Sequence, residues 1–298
     1  MKIGIIGLGG IFQKAYLPVI SANRHEIDYY FASQNEETKG MLKNDFGFTH
    51  FCESLEDLIE LKVDACFIHS ATVAHYKLAK QCLEAGIHVF MDKPLSEELE
   101  ETTELLSLAE ENNVMLMVGF NRRFAPSVAA IKEQQNKRVI YLEKNRAFAE
   151  KTPKFGINDM FLHLVDTAVY LLDDSDIKIE SIKMVGDELL EYAIVQLATK
   201  ETTAIVSMDM KSGAHTEIFR STSPDGVTQV TNLGATTLET PKHTQHLNTS
   251  DWTPTLVTRG FDGMVKAFLS FLQTGDKSVL RQDNVLLSHQ ICQKVLEK

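Results

Sequence analysis

The first 120 residues alternate short apolar strand patterns with helix patterns, and no other feature of this sequence constrains the fold as strongly. Parallel strands need a crossover of a dozen or more residues, usually a helix, so the alternation predicts parallel pairing. The predicted strands are residues 2–6, 27–32, 65–68, 87–91 and 114–118. This part of the chain is therefore expected to fold as a doubly wound α/β sheet, with helices on both faces.

The pattern changes after Gly119. A strongly apolar helix is predicted over residues 158–172, and several alternating segments separated by turn signals follow between residues 177 and 240. Alternation with short connections is typical of an antiparallel sheet. We therefore predict two domains: residues 1–121 form the parallel sheet, and residues 122–298 form a second α/β domain with a mainly antiparallel sheet.

The charge and the cysteine content exclude several classes of function. The 298 residues carry a net charge of −11, whereas a nucleic-acid-binding surface needs a basic footprint. The four cysteines form no Cys-x-x-Cys pair, so neither a disulfide framework nor a metal site is expected. No apolar run approaches the roughly 18 residues that span a bilayer, and the N-terminus lacks the features of a signal peptide. We expect a cytoplasmic protein without a membrane or nucleic-acid partner.

A glycine-rich turn, GLGGIF, joins the first predicted strand to the first predicted helix. Gly7 permits the tight turn, Gly9 lets the backbone approach a pyrophosphate, and the helix that begins near Gly10 and Ile11 offers free N–H groups to phosphates. The turn predicts a bound NAD(P), with an ordinary turn without ligand as the alternative. Phe12 stands where a small residue is usual, so we expect it either to push the helix outwards or to lie over the cofactor.

The end of the second strand decides between NAD and NADP in such domains. The segment 32–35 reads Ala-Ser-Gln-Asn, with no acidic residue for a ribose 2′-hydroxyl and no Arg for a 2′-phosphate. Ser33 and Gln34 are predicted to contact the cofactor, and Ser33, Asn35 and Lys39 could hold a phosphate. The sequence therefore leans towards NADP.

The fourth predicted strand is followed by Asp92-Lys93-Pro94. Side chains at the carboxyl ends of parallel strands face the crevice in which such sheets bind ligands. Lys93 is therefore a candidate binding residue, with a solvated turn lysine as the alternative. The Lys93–Pro94 peptide bond is a candidate for the cis form, which X-Pro bonds tolerate better than other peptide bonds.

The helix predicted over residues 158–172 carries a narrow polar stripe, because Asp159, His163, Asp166 and Tyr170 share one face. Such a helix is expected to be buried, with its stripe facing a polar feature such as a substrate pocket. A histidine titrates near neutrality and can accept the hydroxyl proton while an alcohol is oxidised. The alternative is that Asp159 caps the helix and His163 is a core histidine with satisfied hydrogen bonds.

Several segments, in the same order, resemble the Gfo/Idh/MocA family of oxidoreductases. They are AGIHVFMDKPLS at residues 85–96, GFNRRFAP at 119–126, and two that are closer to its MviM-type members, AYLP at 15–18 and NRA at 145–147. The resemblance covers nearly the whole chain. It implies a Rossmann domain followed by an α/β domain on a large open sheet, whose face often forms a dimer or tetramer. A homo-oligomer that binds a carbohydrate-like small molecule is therefore expected.

The resemblance also implies roles for single residues. Lys93 would hydrogen-bond substrate and cofactor, and Asp92 replaces the usual Glu with a shorter reach. Asp159 and His163 match an Asp and a His on the helix that faces the nicotinamide. The other predicted contacts are His69, Ser70, His75 and Asp92 with the cofactor, and Asn121, Arg122, Arg123 and Asp166 with the substrate. Two of these have structural alternatives, since His75 could be a structural residue and Asp166 could pair with one of the arginines.

These features predict an NAD(P)-dependent oxidoreductase that transfers hydride at a C–OH/C=O centre of a sugar, a polyol or a related hydroxy compound. In this interpretation His163 moves the proton, Lys93 polarises the reacting oxygen, and Asp159 orients the His or holds a second hydroxyl. Two alternatives stay open: a cofactor-binding sensor or regulator without turnover, and a cofactor-dependent eliminating glycosidase. Phe12, Asp92 and the absence of the family's Pro after His69 favour the regulator, whereas the set of Lys93, Asp159 and His163 favours the enzyme.

Overall fold

The computed structural model describes the backbone of residues 1–298 and the side chains of all of them except residue 248. The chain divides into two compact units. The first comprises residues 1–119 and 264–282, and the second comprises residues 120–263 and 283–298. The units differ from the predicted domains mainly at residues 264–282, which were assigned to the second domain and lie in the first unit.

The first unit contains a parallel sheet with the strand order β3-β2-β1-β4-β5-β6. Its strands are β1 (Lys2–Ile6), β2 (Asp28–Ala32), β3 (His50–Cys52), β4 (Ala65–Ile68), β5 (His88–Met91) and β6 (Leu116–Val118). Its first helices are α1 (Leu17–Ala22), α2 (Glu36–Phe46), α3 (Leu55–Glu60), α4 (Thr72–Glu84) and α5 (Leu99–Glu111). The predicted doubly wound sheet is confirmed. The strand order reverses between β1 and β4, and sheets of this kind bind ligands at that position.

Local sequence signals account for several helix ends in this unit. Ser54 and Asp57 form a capping box at the start of α3, and Gly47 ends α2 with a φ of 75°. Ser is a typical N-cap residue and Gly a typical residue just after a helix, so both ends follow from local residue type. The strand β3 was not predicted, because it has only three residues and its side chains are exposed or half-buried, so it lacks an apolar pattern.

The second unit contains a mixed sheet that is mainly antiparallel, as predicted, and its strand order is β14-β13-β12-β11-β7-β10-β9-β8. Its strands are β7 (Val139–Asn145), β8 (Lys178–Val185), β9 (Tyr192–Ala198), β10 (Thr203–Asp209), β11 (Thr216–Ser223), β12 (Gly226–Thr231), β13 (Ala235–Glu239) and β14 (Thr244–Asn248). Its helices are α6 (Pro126–Glu133), α7 (Pro153–Phe155), α8 (Leu162–Leu172), α9 (Thr255–Thr258) and α11 (Val285–Leu296), while α10 (Phe261–Thr274) lies mostly in the first unit. The β7 and β10 strands pair in parallel.

Burial explains how these elements pack. Side chains alternate between buried and more exposed along β7 and β10, so each of these strands turns one face to a core. In the first unit, Phe268 of α10 packs edge-on against Phe67 and Phe90, with ring centroids 5.3 and 5.5 Å apart. That contact explains why residues 264–282 belong to the first unit. None of the described helices is long and apolar enough to cross a membrane.

Candidate active site

The glycine-rich turn has one glycine that packs tightly and two that are open. A Cβ atom at Gly7 would lie 2.2 Å from the backbone nitrogen of Ser70, and Gly7 has a φ of +88°. A Cβ atom at Gly9 or Gly10 would meet nothing within 4 Å. Gly7 therefore lets the loops after β1 and β4 touch, whereas Gly9 and Gly10 leave backbone accessible beside the start of a helix. This arrangement fits a dinucleotide pyrophosphate.

Phe12 neither pushes the helix outwards nor lies over the predicted cofactor face. Its side chain is fully buried, with its ring centroid 6.2 Å from that of Phe31 and 5.7 Å from that of His69. The helix has a widened π turn over Phe12–Tyr16, at the point where the bulky residue enters the core. The whole residue is 0% exposed, so no surface of Phe12 is open to a ligand in this structure. Ile11 is exposed beside it.

The segment predicted to bind the ribose is a polar turn at the start of α2. The Ser33 hydroxyl accepts the Asn35 N–H at 3.1 Å, and the Asn35 side chain caps α2 by accepting the Thr38 N–H at 3.0 Å. Gln34 is exposed. Ser33 and Asn35 thus shape the turn, and the Ser33 O–H can still donate to a ligand.

Lys39 is held by two carboxylates. Its ammonium group lies 2.9 Å from Glu36 and 2.7 Å from Glu53. These contacts balance its charge, so Lys39 is a weaker candidate for a 2′-phosphate than its position in the sequence suggests.

His69 lies inside an aromatic cluster at the end of β4. Its ring stacks on Tyr16 with the centroids 3.9 Å apart. Neither ring nitrogen has a hydrogen-bond partner among the described residues. Burial, with a smaller contribution from His75, lowers the pKa of His69 to about 3. His69 is therefore neutral in the folded protein, and its imidazole packs as an aromatic ring beneath the glycine-rich turn.

His75 connects the loop after β4 to the loop after β5. Its ring nitrogens lie 2.7 Å from the carbonyl oxygen of Pro94 and 2.9 Å from that of Ser70. The Lys93–Pro94 peptide bond is cis, as predicted. His75 is buried, and these contacts support the structural alternative for it.

Asp92 organises the turn that carries Lys93. One of its carboxylate oxygens accepts the Lys93 N–H at 3.0 Å and the Tyr16 hydroxyl at 3.2 Å. Burial raises the pKa of Asp92, and the nearby Lys93, His75 and Tyr16 each oppose that rise. Asp92 therefore acts within the turn, while the Lys93 side chain is half-buried at the carboxyl end of β5.

Asp159 and His163 lie on a continuous helical segment of the second unit. A π turn over Gly156–Phe161 contains Asp159 and runs directly into α8, which contains His163. Both side chains are half-buried, in contrast to the buried apolar residues around them. The helical path begins before Asn158, so the alternative in which Asp159 caps the helix is wrong.

The predicted substrate contacts of the second unit are engaged in structural interactions. Arg123 is fully buried and donates two hydrogen bonds to Asp166, from Nε at 2.9 Å and from Nη2 at 2.6 Å. Ser288 also donates to Asp166, at 3.1 Å. The Asn121 amide donates to the Arg259 carbonyl at 2.7 Å. These contacts favour the alternative in which Asp166 completes a buried ion pair.

Arg122 forms a second buried ion pair. Its Nε donates to Glu217 at 2.6 Å, and the ammonium of Lys144 lies 3.9 Å from the same carboxylate. Burial alone would raise the pKa of Glu217, but Arg122 and then Lys144 outweigh it and lower that pKa to about 2. The charge of Arg122 is therefore paired with that of Glu217 inside the second unit.

Comparison with known proteins identifies the family. A model described as an oxidoreductase family with an NAD-binding Rossmann fold matches residues 1–120, and a YceM-like C-terminal domain matches residues 126–241. YceM of Salmonella typhimurium is 31% identical over 294 residues, covering 95% of each chain. The chain belongs to the Gfo/Idh/MocA family.

Solved structures of this family have the same fold. A Gfo/Idh/MocA oxidoreductase from Vibrio cholerae is 31% identical with a TM-score of 0.87, covering 100% of this chain and 98% of its own. An MviM dehydrogenase from Clostridium difficile is 27% identical with a TM-score of 0.92, covering 100% and 99%. The predicted family is thereby confirmed, and this Gfo/Idh/MocA protein is an oxidoreductase with an NAD(P)-binding Rossmann fold.

A relative with a named substrate is more distant. The myo-inositol 2-dehydrogenase of Thermotoga maritima is 29% identical over 228 residues, which cover 72% of this chain and 66% of that one.

Tyr16 is a residue that the sequence analysis passed over. It appeared only as part of the AYLP segment, yet its hydroxyl contacts Asp92, 76 positions away. A buried Tyr normally needs a partner for its hydroxyl, and that requirement was the available signal.

Proposed function

We propose that this Gfo/Idh/MocA protein transfers hydride between NAD(P) and a C–OH/C=O centre of a sugar, a polyol or a related hydroxy compound. Lys93, His163 and Asp159 are the proposed catalytic residues. Gly7, Gly9, Gly10 and Ile11 are proposed to hold the cofactor through their backbone.

One observation carries the proposal: the loops after β1, β4 and β5 are tied together at one edge of the parallel sheet. Gly7 packs against Ser70, the Ser70 carbonyl contacts His75, and the other nitrogen of His75 contacts the Pro94 carbonyl. Lys93 precedes Pro94, so its backbone is held at the same edge of the sheet as the open glycines. A lysine that starts from this position is suited to stabilise negative charge on an oxygen of a bound substrate.

The proposed roles of the side chains follow from the negative charge that develops on the substrate oxygen during the reaction. When bound, NAD(P)⁺ supplies the hydride acceptor. In the oxidising direction, the substrate hydroxyl loses its proton to the His163 imidazole while hydride leaves the same carbon, and a carbonyl forms. The Lys93 ammonium stabilises the negative charge that grows on the substrate oxygen. Asp159, one helical turn before His163, orients the imidazole or holds a second hydroxyl.

The proposed cofactor preference is a lean towards NADP. The turn over residues 32–35 has no carboxylate that would repel a 2′-phosphate. Since Lys39 is balanced by Glu36 and Glu53, Ser33 and the N–H groups at the start of α2 are the groups proposed to meet the phosphate. NADPH is therefore expected to bind more tightly than NADH in titrations of nicotinamide fluorescence, and the opposite order would contradict this preference.

Two histidine variants, one at the proposed catalytic residue and one control, test the catalytic assignment. His163→Ala should lower kcat by about 10²–10⁴-fold, because the proton acceptor is lost, while the Kd for NADPH stays within about twofold. The matched control is His246→Ala, since His246 is exposed on β14 of the same unit. Turnover would be followed with myo-inositol, D-xylose and glucose 6-phosphate, which are compounds in the names of relatives of this chain. Full turnover by the His163 variant would contradict the assignment.

A further inference from the structure

A hydrogen bond joins the helix after the glycine-rich turn to the Lys93 turn. Tyr16, the last residue of the π turn, donates its hydroxyl proton to Asp92 at 3.2 Å. The same carboxylate oxygen accepts the Lys93 N–H at 3.0 Å. One oxygen atom of Asp92 therefore connects the segment that follows the glycine-rich turn with the backbone of Lys93.

The Tyr16 ring is held on several sides. It is fully buried, stacks on His69 with centroids 3.9 Å apart, and meets Phe90 edge-on at 5.7 Å. Gly119 leaves room for its hydroxyl, since a Cβ atom at Gly119 would lie 3.2 Å from that oxygen. A ring fixed in this way cannot follow a moving partner, so its hydroxyl is an anchor for Asp92.

The hydroxyl also affects the charge of Asp92. Burial raises the pKa of this carboxyl group, and the groups that face it and favour its ionised form are Lys93, His75 and Tyr16. A hydrogen bond from a neutral hydroxyl to a charged carboxylate is among the stronger kinds in proteins. Loss of the hydroxyl should therefore both free the Asp92 side chain and make its ionised form less favourable.

We propose that Tyr16 is a positioning residue: its hydroxyl fixes the Asp92 carboxylate and, through it, the Lys93 backbone relative to the glycine-rich turn. The inference rests on the proposed function only for the role of Lys93 in turnover. The contact itself is independent of that role.

A pair of Tyr→Phe variants tests the effect on turnover. Tyr16→Phe should lower kcat about tenfold across the pH profile, because Asp92 loses the donor that fixes its carboxylate and, through it, the Lys93 backbone. The KM for the cofactor should change by less than about twofold. Tyr29→Phe is the matched control, since Tyr29 lies in the same unit and its buried hydroxyl has no hydrogen-bond partner among the described residues. Equal kcat profiles for the two variants would overturn the proposal.

A second pair tests the geometry. Asp92→Glu adds a methylene that drives the carboxylate into the space of the Tyr16 hydroxyl, so this variant alone should lose activity. Combined with Tyr16→Phe, which vacates that space, Asp92→Glu should recover at least part of the loss. If the double variant is as impaired as the product of the two single effects predicts, the two side chains do not act together and the proposal fails.

A measurement without substrate separates this inference from the proposed function. The reactivity of the Lys93 amine towards acetic anhydride can be followed by mass spectrometry, with exposed Lys43 as the internal reference. Tyr16→Phe should change the Lys93-to-Lys43 ratio at least about twofold, and Tyr29→Phe should not. An unchanged ratio would overturn the positioning role. A changed ratio in a protein that turns over no hydroxy substrate would support the positioning role and contradict the proposed function.

Discussion

His69 has an environment that its residue type would not suggest. Its imidazole is buried among Phe12, Tyr16, Phe67 and Phe90, with no hydrogen-bond partner for either nitrogen in the described part of the chain. Burial of an unpaired imidazole disfavours its charged form. The residue therefore serves as a neutral aromatic ring under the glycine-rich turn, and it couples the stability of this region to pH.

The sign of that coupling is fixed by the lowered pKa. The unfolded chain protonates this histidine below about pH 6.5, whereas the folded pKa is about 3, so the contribution of His69 is lost as pH falls below 6.5. Between pH 7 and pH 5 the free energy of unfolding should fall by about 2 kcal/mol more in the wild type than in His69→Phe. Urea denaturation of both proteins at the two pH values measures this difference. Parallel pH dependences would show that the pKa of His69 is the same in the folded and unfolded states, which would contradict the lowered pKa.

At the scale of elements, the glycine-rich turn contains one glycine that the packing requires and others that are proposed to bind the cofactor. Gly7 has a positive φ and no room for a side chain, so Gly7→Ala should cost at least about 2 kcal/mol of unfolding free energy. Gly9 has open space, so Gly9→Ala should stay within about 0.5 kcal/mol of the wild type while its Kd for NADPH rises about tenfold or more. Thermal unfolding and fluorescence titration measure the two effects. A Gly9 variant with wild-type affinity would argue against a pyrophosphate at this turn.

Helix α8 carries both the proposed base and a buried ion pair, and the two can be separated experimentally. Asp166→Asn leaves the guanidinium of Arg123 buried without its countercharge and should cost about 3 kcal/mol of stability. Asp173→Asn, at the end of the same helix, removes an exposed carboxylate paired with Lys132 and should cost less than about 1 kcal/mol. A stable Asp166→Asn protein with reduced turnover would instead support the substrate contact that the sequence pattern predicted for Asp166.

For the whole molecule, the predictions that held rest on local patterns. The parallel sheet and the mainly antiparallel sheet follow from periodicity and from residues close in sequence. The family could be predicted because its motifs are contiguous segments. These features need no knowledge of distant contacts.

The features that could not be predicted depend on contacts far apart in sequence. Residues 264–282 join the first unit because Phe268 packs on Phe67 and Phe90, and no local signal reports that partner. The burial of Phe12 depends on a π turn and on Phe31 and His69. The sequence offered Asp166 a pairing with either arginine, and the choice of Arg123, 43 positions away, depends on the packed structure. The predicted list of site residues therefore mixed groups that could meet ligands with groups that hold the fold together.

Hydride transfer between NAD(P) and a hydroxy compound is the proposal on which the predictions for this site depend. It is measured as the absorbance of the reduced nicotinamide after the purified protein is mixed with NADP⁺ or NAD⁺ and each of a panel of sugars and polyols. Reduced cofactor should accumulate lastingly with at least one compound, together with an equal amount of carbonyl product, and both should be lost in Lys93→Ala but not in Lys43→Ala. Tight cofactor binding without accumulation for any compound would contradict hydride transfer and would favour a cofactor-binding regulator.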